Sequence, residues 1–225
     1  MPSTQIHTIY KKKDGTRVPS VTTYLGILAK PALIHWAWEQ GVAGLDYRKV
    51  RDQSGDIGTL VHYLIFCQLK DGNPDLSDYT QQDIVGSEPP MKKFRGWRKE
   101  HTLEPILLET PIVSEFYGFG GTPDYYGLVD GVATLIDFKT SEAFYLEHFC
   151  QLAAYERLLT GAGFEVEKIK LLRFGKKEGE GFGEQTIENT KLYWRIFLAC
   201  QEIYELVKLI KKVSRGKQDS EVEDV

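Results

Sequence analysis

The chain has 225 residues, 42% of them hydrophobic and 27% charged, proportions that suit one packed domain and exclude fibrous and disordered classes. A formal net charge of -4 excludes a protein that coats nucleic acid through bulk charge, although a local basic groove is compatible with it. Three scattered cysteines, Cys67, Cys150 and Cys200, form neither a disulfide framework nor a zinc or iron–sulfur spacing and read as buried small hydrophobes.

In chain order, "IHTIYKKKDGTRVPS" predicts a small hairpin turning at Asp14-Gly15, and Ser20 caps a short helix through Leu28. Pro31 suits the first turn of a helix running to about Gly44. "GDIGTLVHYLIFCQLKDG" follows as a mostly apolar helix ended by Asp71-Gly72, and "LSDYTQQDIVGSEPPMKKFRGWRKEHT" as one or two polar helices interrupted near Pro89 and Pro90. A helical front, residues 1–102, thus precedes a core at 103–213 in which strands and helices alternate. That core holds strands in "EPILLETPIVSEFYGF", a hairpin, a helix across "LEHFCQLAAYERLLTG", a strand "KIKLLRF" and a long helix "NTKLYWRIFLACQEIYELVKLIKKV". Residues 214–225 form a polar, acidic tail expected to be disordered. No stretch reaches the about 18 apolar residues of a membrane span, and the first residues hold no signal or transit pattern, so a soluble, cytoplasmic protein without membrane association is expected.

The hairpin, "FGGTPDYYGLVDGVATLIDFKTS" at 119–141, carries most of the chemistry. Asp130-Gly131 is a strong signal for a two-residue type I′ turn, whose central positions both need positive φ. With that turn at the centre, Val129 faces Val132, Leu128 faces Ala133, and the register carried on sets Asp124 opposite Asp137. Like charges opposed on neighbouring strands destabilise each other unless a cation sits between them. Lys139, two residues past Asp137, shares its face. An exposed polar face with a chance salt bridge is the bland alternative.

Three further features have two readings each. Gln151 and Tyr155 lie on one helical face soon after Lys139: they either reach the hairpin or are a half-exposed pair. His62 lies among Leu60, Val61, Leu64, Ile65 and Phe66 and is either a core histidine bonded to a carbonyl or a metal ligand. Trp36, Trp38, Phe94 and Trp97 interleave with Lys92, Lys93, Arg95, Arg98 and Lys99, either as a surface that stacks and neutralises a single strand or as core aromatics beside a solvated basic face. Trp36 and Trp38 cannot both face one side of a helix, which puts at least one of them toward the core.

Gly58 to His62, then "GTPD" at 121–124, "DFK" at 137–139 and the Gln151/Tyr155 pair, in that order, resemble the PD-(D/E)XK nuclease superfamily in its RecB-like branch. The opening "PSVTTYLGILAKPALIHWAWEQG" is similar to phage and bacterial relatives of the mitochondrial genome maintenance exonuclease, and the resemblance spans roughly residues 18–160. It implies an α/β fold of restriction-endonuclease type, a mixed central sheet flanked by helices behind an N-terminal helical front.

The resemblance also implies roles. Asp124 and Asp137, the Phe138 carbonyl and His62 would bind Mg²⁺ or Mn²⁺, and Lys139 would orient or help deprotonate the attacking water. Gln151 would hold the nucleophile or the backbone, Tyr155 would support it, and Thr140 and Ser141 would contact a neighbouring phosphate. Glu104, Glu109 or Glu115 could add a carboxylate. Without an iron–sulfur cluster or helicase motifs, the expectation is a stand-alone exonuclease. It would prefer single-stranded DNA with a free end, processing ends in replication, recombination or repair in a bacterial cell or phage-infected host. A restriction-type endonuclease and a non-catalytic DNA-end binder are the alternatives.

Overall fold

The computed structural model describes residues 8–177 and 179–222. A two-stranded hairpin opens it, β1 (Tyr10–Lys11) and β2 (Arg17–Val18), followed by α1 (Val21–Leu25), α2 (Pro31–Val42), α3 (Tyr47–Leu69) and α4 (Gln81–Lys99). Strands β3 (Leu103–Leu108), β4 (Ile112–Ser114), β5 (Phe119–Gly121), β6 (Tyr125–Val129) and β7 (Val132–Lys139) come next. The chain closes with α5 (Leu146–Gly161), β8 (Lys168–Phe174), β9 (Phe182–Thr186) and α6 (Lys191–Val222). Four helices thus lie between the first hairpin and β3.

The central sheet is mixed, in the order β3-β6-β7-β8-β9, with only β7 and β8 parallel. Parallel neighbours need a crossover, and α5 supplies it. The β6–β7 register is the one the turn predicts: Val129 pairs with Val132 and Tyr125 with Ile136. Asp130 and Gly131 take φ of 53° and 82°, as a type I′ turn requires.

Apolar side chains on the two faces of this sheet enter separate cores. One face packs Tyr126 and Leu135 against α1, α5 and α6 through Tyr24, Leu152, Leu158 and Phe197. The other packs Tyr125, Ile136 and Phe138 against α3 and α4 through Val61, Ile65, Phe94 and Trp97. β7 is therefore buried from Thr134 to Phe138 on both sides, which accounts for its nearly unbroken apolar sequence. Asp137 is the exception in that run.

Several local expectations differ. The helix capped by Ser20, whose hydroxyl accepts from Thr23 N at 3.0 Å, ends at Leu25 rather than Leu28. α3 starts well before Gly55, at an Asp46 cap that accepts from Arg48 N at 3.0 Å; its polar first half projects along the surface and has no apolar stripe to announce it. α4 is one helix straight through Pro89 and Pro90. Proline removes a hydrogen bond inside a helix, but burial of Pro90, Met91, Phe94 and Trp97 and the Thr80/Asp83 capping box hold the two halves together. Gly86 helps by letting α3 approach, since a Cβ there would lie 2.6 Å from Ile57. β9 was not expected; it is a mostly exposed edge strand without an apolar repeat. α6 continues through Val222, past Ser214 where the composition predicts a disordered tail, while residues 223–225 lie outside the described residues.

Candidate metal and active site

Asp124 directly precedes β6, and Asp137 and Lys139 end β7 on the face covered by α5. Local pairing holds the acids in place: Phe138 N donates to Asp124 Oδ2 at 2.7 Å. From the opposite face α3 sends in His62, whose Nδ1 lies 3.5 Å from Asp124 Oδ1 and 3.7 Å from Glu109 Oε1. Glu109 follows β3 in a left-handed conformation, φ 45°, which turns its side chain back toward the sheet end. His62, Glu109 and Asp124 each offer a ligand atom, all within 4.8 Å of one another.

Asp137 is completely buried, and neither carboxylate oxygen has a hydrogen-bond partner. Lys139 Nζ stands 2.6 Å from its Oδ2, an ion pair without hydrogen-bond alignment, and donates instead to Gln151 Oε1 at 3.1 Å. Gln151 Nε2 in turn donates to the Tyr155 hydroxyl at 2.8 Å. A buried carboxylate whose only compensation is one ammonium at Oδ2, with Oδ1 left without a partner, is a costly arrangement in water-free surroundings. It fits a cation partner, for which the neighbouring carboxylates and one imidazole offer ligand atoms.

The protonation pattern has the same cause. Burial pushes Asp137 up to about 7 despite Lys139, with the Asp124 charge adding to it. Burial also raises Glu109. Asp124 goes the other way: burial opposes ionisation, but His62, Lys139 and the Phe138 amide outweigh it. His62 would be lowered by burial, yet Asp124 and Glu109 hold it protonated up to about 10. Lys139, also disfavoured by burial, is raised by Asp137 and Asp124. Without metal, imidazolium and ammonium are the cations that compensate these acids.

Of the three glutamates, only Glu109 joins the site. Glu104 pairs with Leu128 on the far part of β3, and Glu115 accepts from Lys13 N at 2.8 Å. His62 is no carbonyl-bonded core histidine; its partners are carboxylates, and about a quarter of its side chain, 27%, is exposed. Thr140 lies beside Gly58, where a Cβ would come within 3.2 Å of its hydroxyl. Ser141 Oγ donates to Ala143 O at 2.8 Å and so shapes the following loop.

The aromatic and basic cluster divides. Trp97 and Phe94 are core residues, 5% and 0% exposed, and Trp97 Nε1 donates to Glu184 Oε2 at 3.1 Å. Neither can stack on a base, because α4 turns these positions onto the sheet. Lys93 reaches the carbonyls of Gly175 and Lys177 at 2.6 and 3.1 Å. Lys92 and Arg95 are exposed, Arg95 beside Glu88 at 3.4 Å. Trp36 is half-buried, whereas Trp38 is 64% exposed.

Sequence reasoning missed Tyr10. Its ring packs over Gly120, where any Cβ would collide at 2.3 Å, and its hydroxyl meets Thr122 Oγ1 at 2.7 Å, two residues before Asp124. Glycines in the hairpin strand were the available signal, since close approach to a ring is one reason for glycine there.

No family model matches the sequence, and no curated protein matches it. Among solved structures, SSO0001 is similar at 17% identity and a TM-score of 0.30 over 56% of this chain, which spans 62% of the length of that one. An alkaline exonuclease (LHK-Exo) from Laribacter hongkongensis is similar at 17% identity and a TM-score of 0.35, over 69% of this chain and 84% of that one. In its complex with dAMP the figures are 17%, 0.35, 72% and 91%.

Proposed function

We propose that this chain is a metal-dependent deoxyribonuclease of the PD-(D/E)XK type, RecB-like, which hydrolyses phosphodiester bonds from a free single-stranded end. The observation that carries the reading is Asp137: a fully buried carboxylate with no hydrogen bond, beside Asp124, His62 and Lys139. His62, Glu109 and Asp124, with Asp137 and the Phe138 carbonyl, would hold Mg²⁺ or Mn²⁺. When bound by these residues, such an ion would polarise the scissile phosphate and lower the pKa of the attacking water.

The chain's own residues do the rest. Lys139 keeps its proton beside Asp137 and Asp124, so it orients the water and offsets charge at phosphorus rather than acting as a base. Gln151, bonded to both Lys139 and Tyr155, holds that ammonium in one position. Thr140, directly after β7, would contact a neighbouring phosphate, as the family resemblance implies. In the reaction a water oxygen bonds to phosphorus, the bond to the leaving sugar oxygen breaks, and that oxygen takes up a proton.

Preference for a single strand is supported by α2. Lys30, just before this helix, pairs with Glu147 of α5 at 2.9 Å, which sets the start of α2 close to Gln151, and Leu33, Ile34 and Trp38 stay exposed along it. Trp38 would give a strand that reaches this helix one exposed ring to stack on. End processing in replication, recombination or repair of a phage or bacterial genome is the role the family resemblance supports.

The test is labelled DNA with Mn²⁺, Mg²⁺ or chelator, resolved by length. Linear single strands should be shortened only with metal, a blunt duplex more slowly and a single-stranded circle hardly at all. Asp137→Asn and Lys139→Ala should remove the activity in folded protein. Equal cutting of circle and linear strand would replace the exonuclease with an endonuclease; tight binding without cleavage would replace it with an end-binding protein.

A further inference from the structure

α3 crosses one end of the central sheet, where β6 begins and the parallel strands β7 and β8 both end. Three of its residues, spaced four apart along one face, meet those strand ends in sheet order. His62 faces Asp124 before β6. Gly58 lies against Thr140 after β7, where a Cβ would come within 3.2 Å of the threonine hydroxyl. Ser54 meets Lys176 after β8, whose Nζ donates to the Ser54 carbonyl at 2.7 Å and to its Oγ at 2.6 Å. Each step of four residues advances about 6 Å along the helix, an interval close to that between successive phosphates of a nucleic acid strand.

Lys176 is half-buried, and among the described residues no carboxylate lies within ion-pair distance of its ammonium. Burial holds it below the usual lysine value, although Glu180 and Glu142 act to raise it. Those two acids are engaged by Lys177, at 3.3 and 3.2 Å. A cation partly withdrawn from water, with only serine oxygens for partners, is the converse of Asp137, and what it lacks is an anion. Accepting from Lys176 leaves the Ser54 hydroxyl its own proton to give, so ammonium and hydroxyl can hold one phosphate together. Other bonds already seat the loop: Lys93 holds the carbonyls of Gly175 and Lys177, and Glu180 accepts from the amides of Lys176 and Lys177 at 2.9 and 3.3 Å.

We propose that Ser54 and Lys176 form a phosphate subsite, and that a single strand lies along α3 with consecutive phosphates at the metal site, at Thr140 and at Lys176. The subsite rests on the nuclease reading above and extends it to how the strand is held while a bond near its end is cut. Contacts to phosphate carry no base information, so this grip is independent of sequence.

The test is binding of a labelled single strand, with Ca²⁺ in place of Mn²⁺, followed by fluorescence anisotropy. Lys176→Ala should lower the logarithmic salt dependence by about 0.7, the value of one phosphate contact on a single strand, and Lys176→Arg should keep it. A set of strands, each with one linkage made neutral as a methylphosphonate, locates the contact. Wild type should lose affinity when the phosphate two steps from the cut bond is neutral, and Lys176→Ala should be indifferent at that position alone. Ser54→Ala keeps the carbonyl tie, so it should melt as wild type does and lose part of the same sensitivity. A wild-type slope and scan in Lys176→Ala, whatever its melting temperature, would make the pair a structural tie and overturn the subsite. Cleavage with Mn²⁺ is scored separately. Wild type that binds but does not cut would defeat the nuclease reading, and the subsite would still stand or fall on whether one neutral position falls silent in Lys176→Ala. Wild type that binds no strand would overturn both.

Discussion

At the scale of single residues, Asp137 is where the site's cost is concentrated. Its folded-state pKa lies at about 7, above the ordinary 3.8, because burial disfavours its charge. Between those values the folded chain holds a proton that the unfolded chain releases, so this group's contribution to stability is complete below the lower value and is lost as pH rises through the upper one. In chelator, Asp137→Asn should therefore melt several degrees above wild type at pH 8, with the gain fading as the pH falls toward 4. Added Mn²⁺ should raise the wild-type melting temperature and raise the variant's less, because the variant keeps only the His62, Glu109 and Asp124 ligands. Melting curves across pH, with and without metal, check both; a variant less stable than wild type at pH 8 in chelator would mean that Lys139 alone satisfies the carboxylate. His62→Ala should weaken metal binding in a calorimetric titration, because it removes one corner of the His62, Glu109 and Asp124 triangle. A loss confined to thermal stability would return His62 to the core.

Single elements fix these residues by close approach. β5 carries Gly120 and Gly121 because a ring lies over each: Tyr10 on the first, and Tyr155 on the second, where a Cβ would sit 2.6 Å from the ring. Gly121→Ala should push Tyr155 away from Gln151 and so loosen the ammonium of Lys139. The expected cost is about 1–3 kcal/mol of stability, as for overpacking elsewhere, together with a drop in turnover. Denaturant titration and single-turnover cleavage measure the two; full turnover in the variant would show that the Gln151–Tyr155 link is structural only. Tyr10→Phe removes the hydroxyl and with it the bond to Thr122 Oγ1 while keeping the ring packing, so it separates positioning of the Asp124 segment from support of the hairpin. Turnover should fall with the melting temperature nearly unchanged.

For the whole molecule, the sheet has helices on both faces, and the site forms at its end where α3 and α5 both reach past the strands. This layout also sorts the basic residues of α4. Lys92 is exposed, so Lys92→Ala should lower the salt dependence of single-strand binding by about 0.7 in logarithmic slope if it meets a phosphate. Lys93 holds the carbonyls after β8, so Lys93→Ala should lower the melting temperature and leave the slope alone. Binding isotherms at several salt concentrations distinguish the two lysines, and an unchanged slope for Lys92→Ala would remove α4 from the DNA path.

What the sequence determined by itself was whatever depends on neighbours along the chain. Asp130-Gly131 dictates its own turn, the turn dictates the β6–β7 register, and the register brings Asp124, Asp137 and Lys139 to one face; likewise the apolar pattern marks α5 at Leu146–Gly161 and β8 at Lys168–Phe174. Only the tertiary structure could select Glu109 from three glutamates, bring Tyr10 to Thr122 across more than a hundred residues, and turn Trp97 inward onto the sheet. It also carried α4 through two prolines and placed β9 at an edge with little apolar sequence. Periodicity tells which residues share a face, but the packing of distant elements decides what that face meets, and the energy of that packing does not appear in any local stretch of chain.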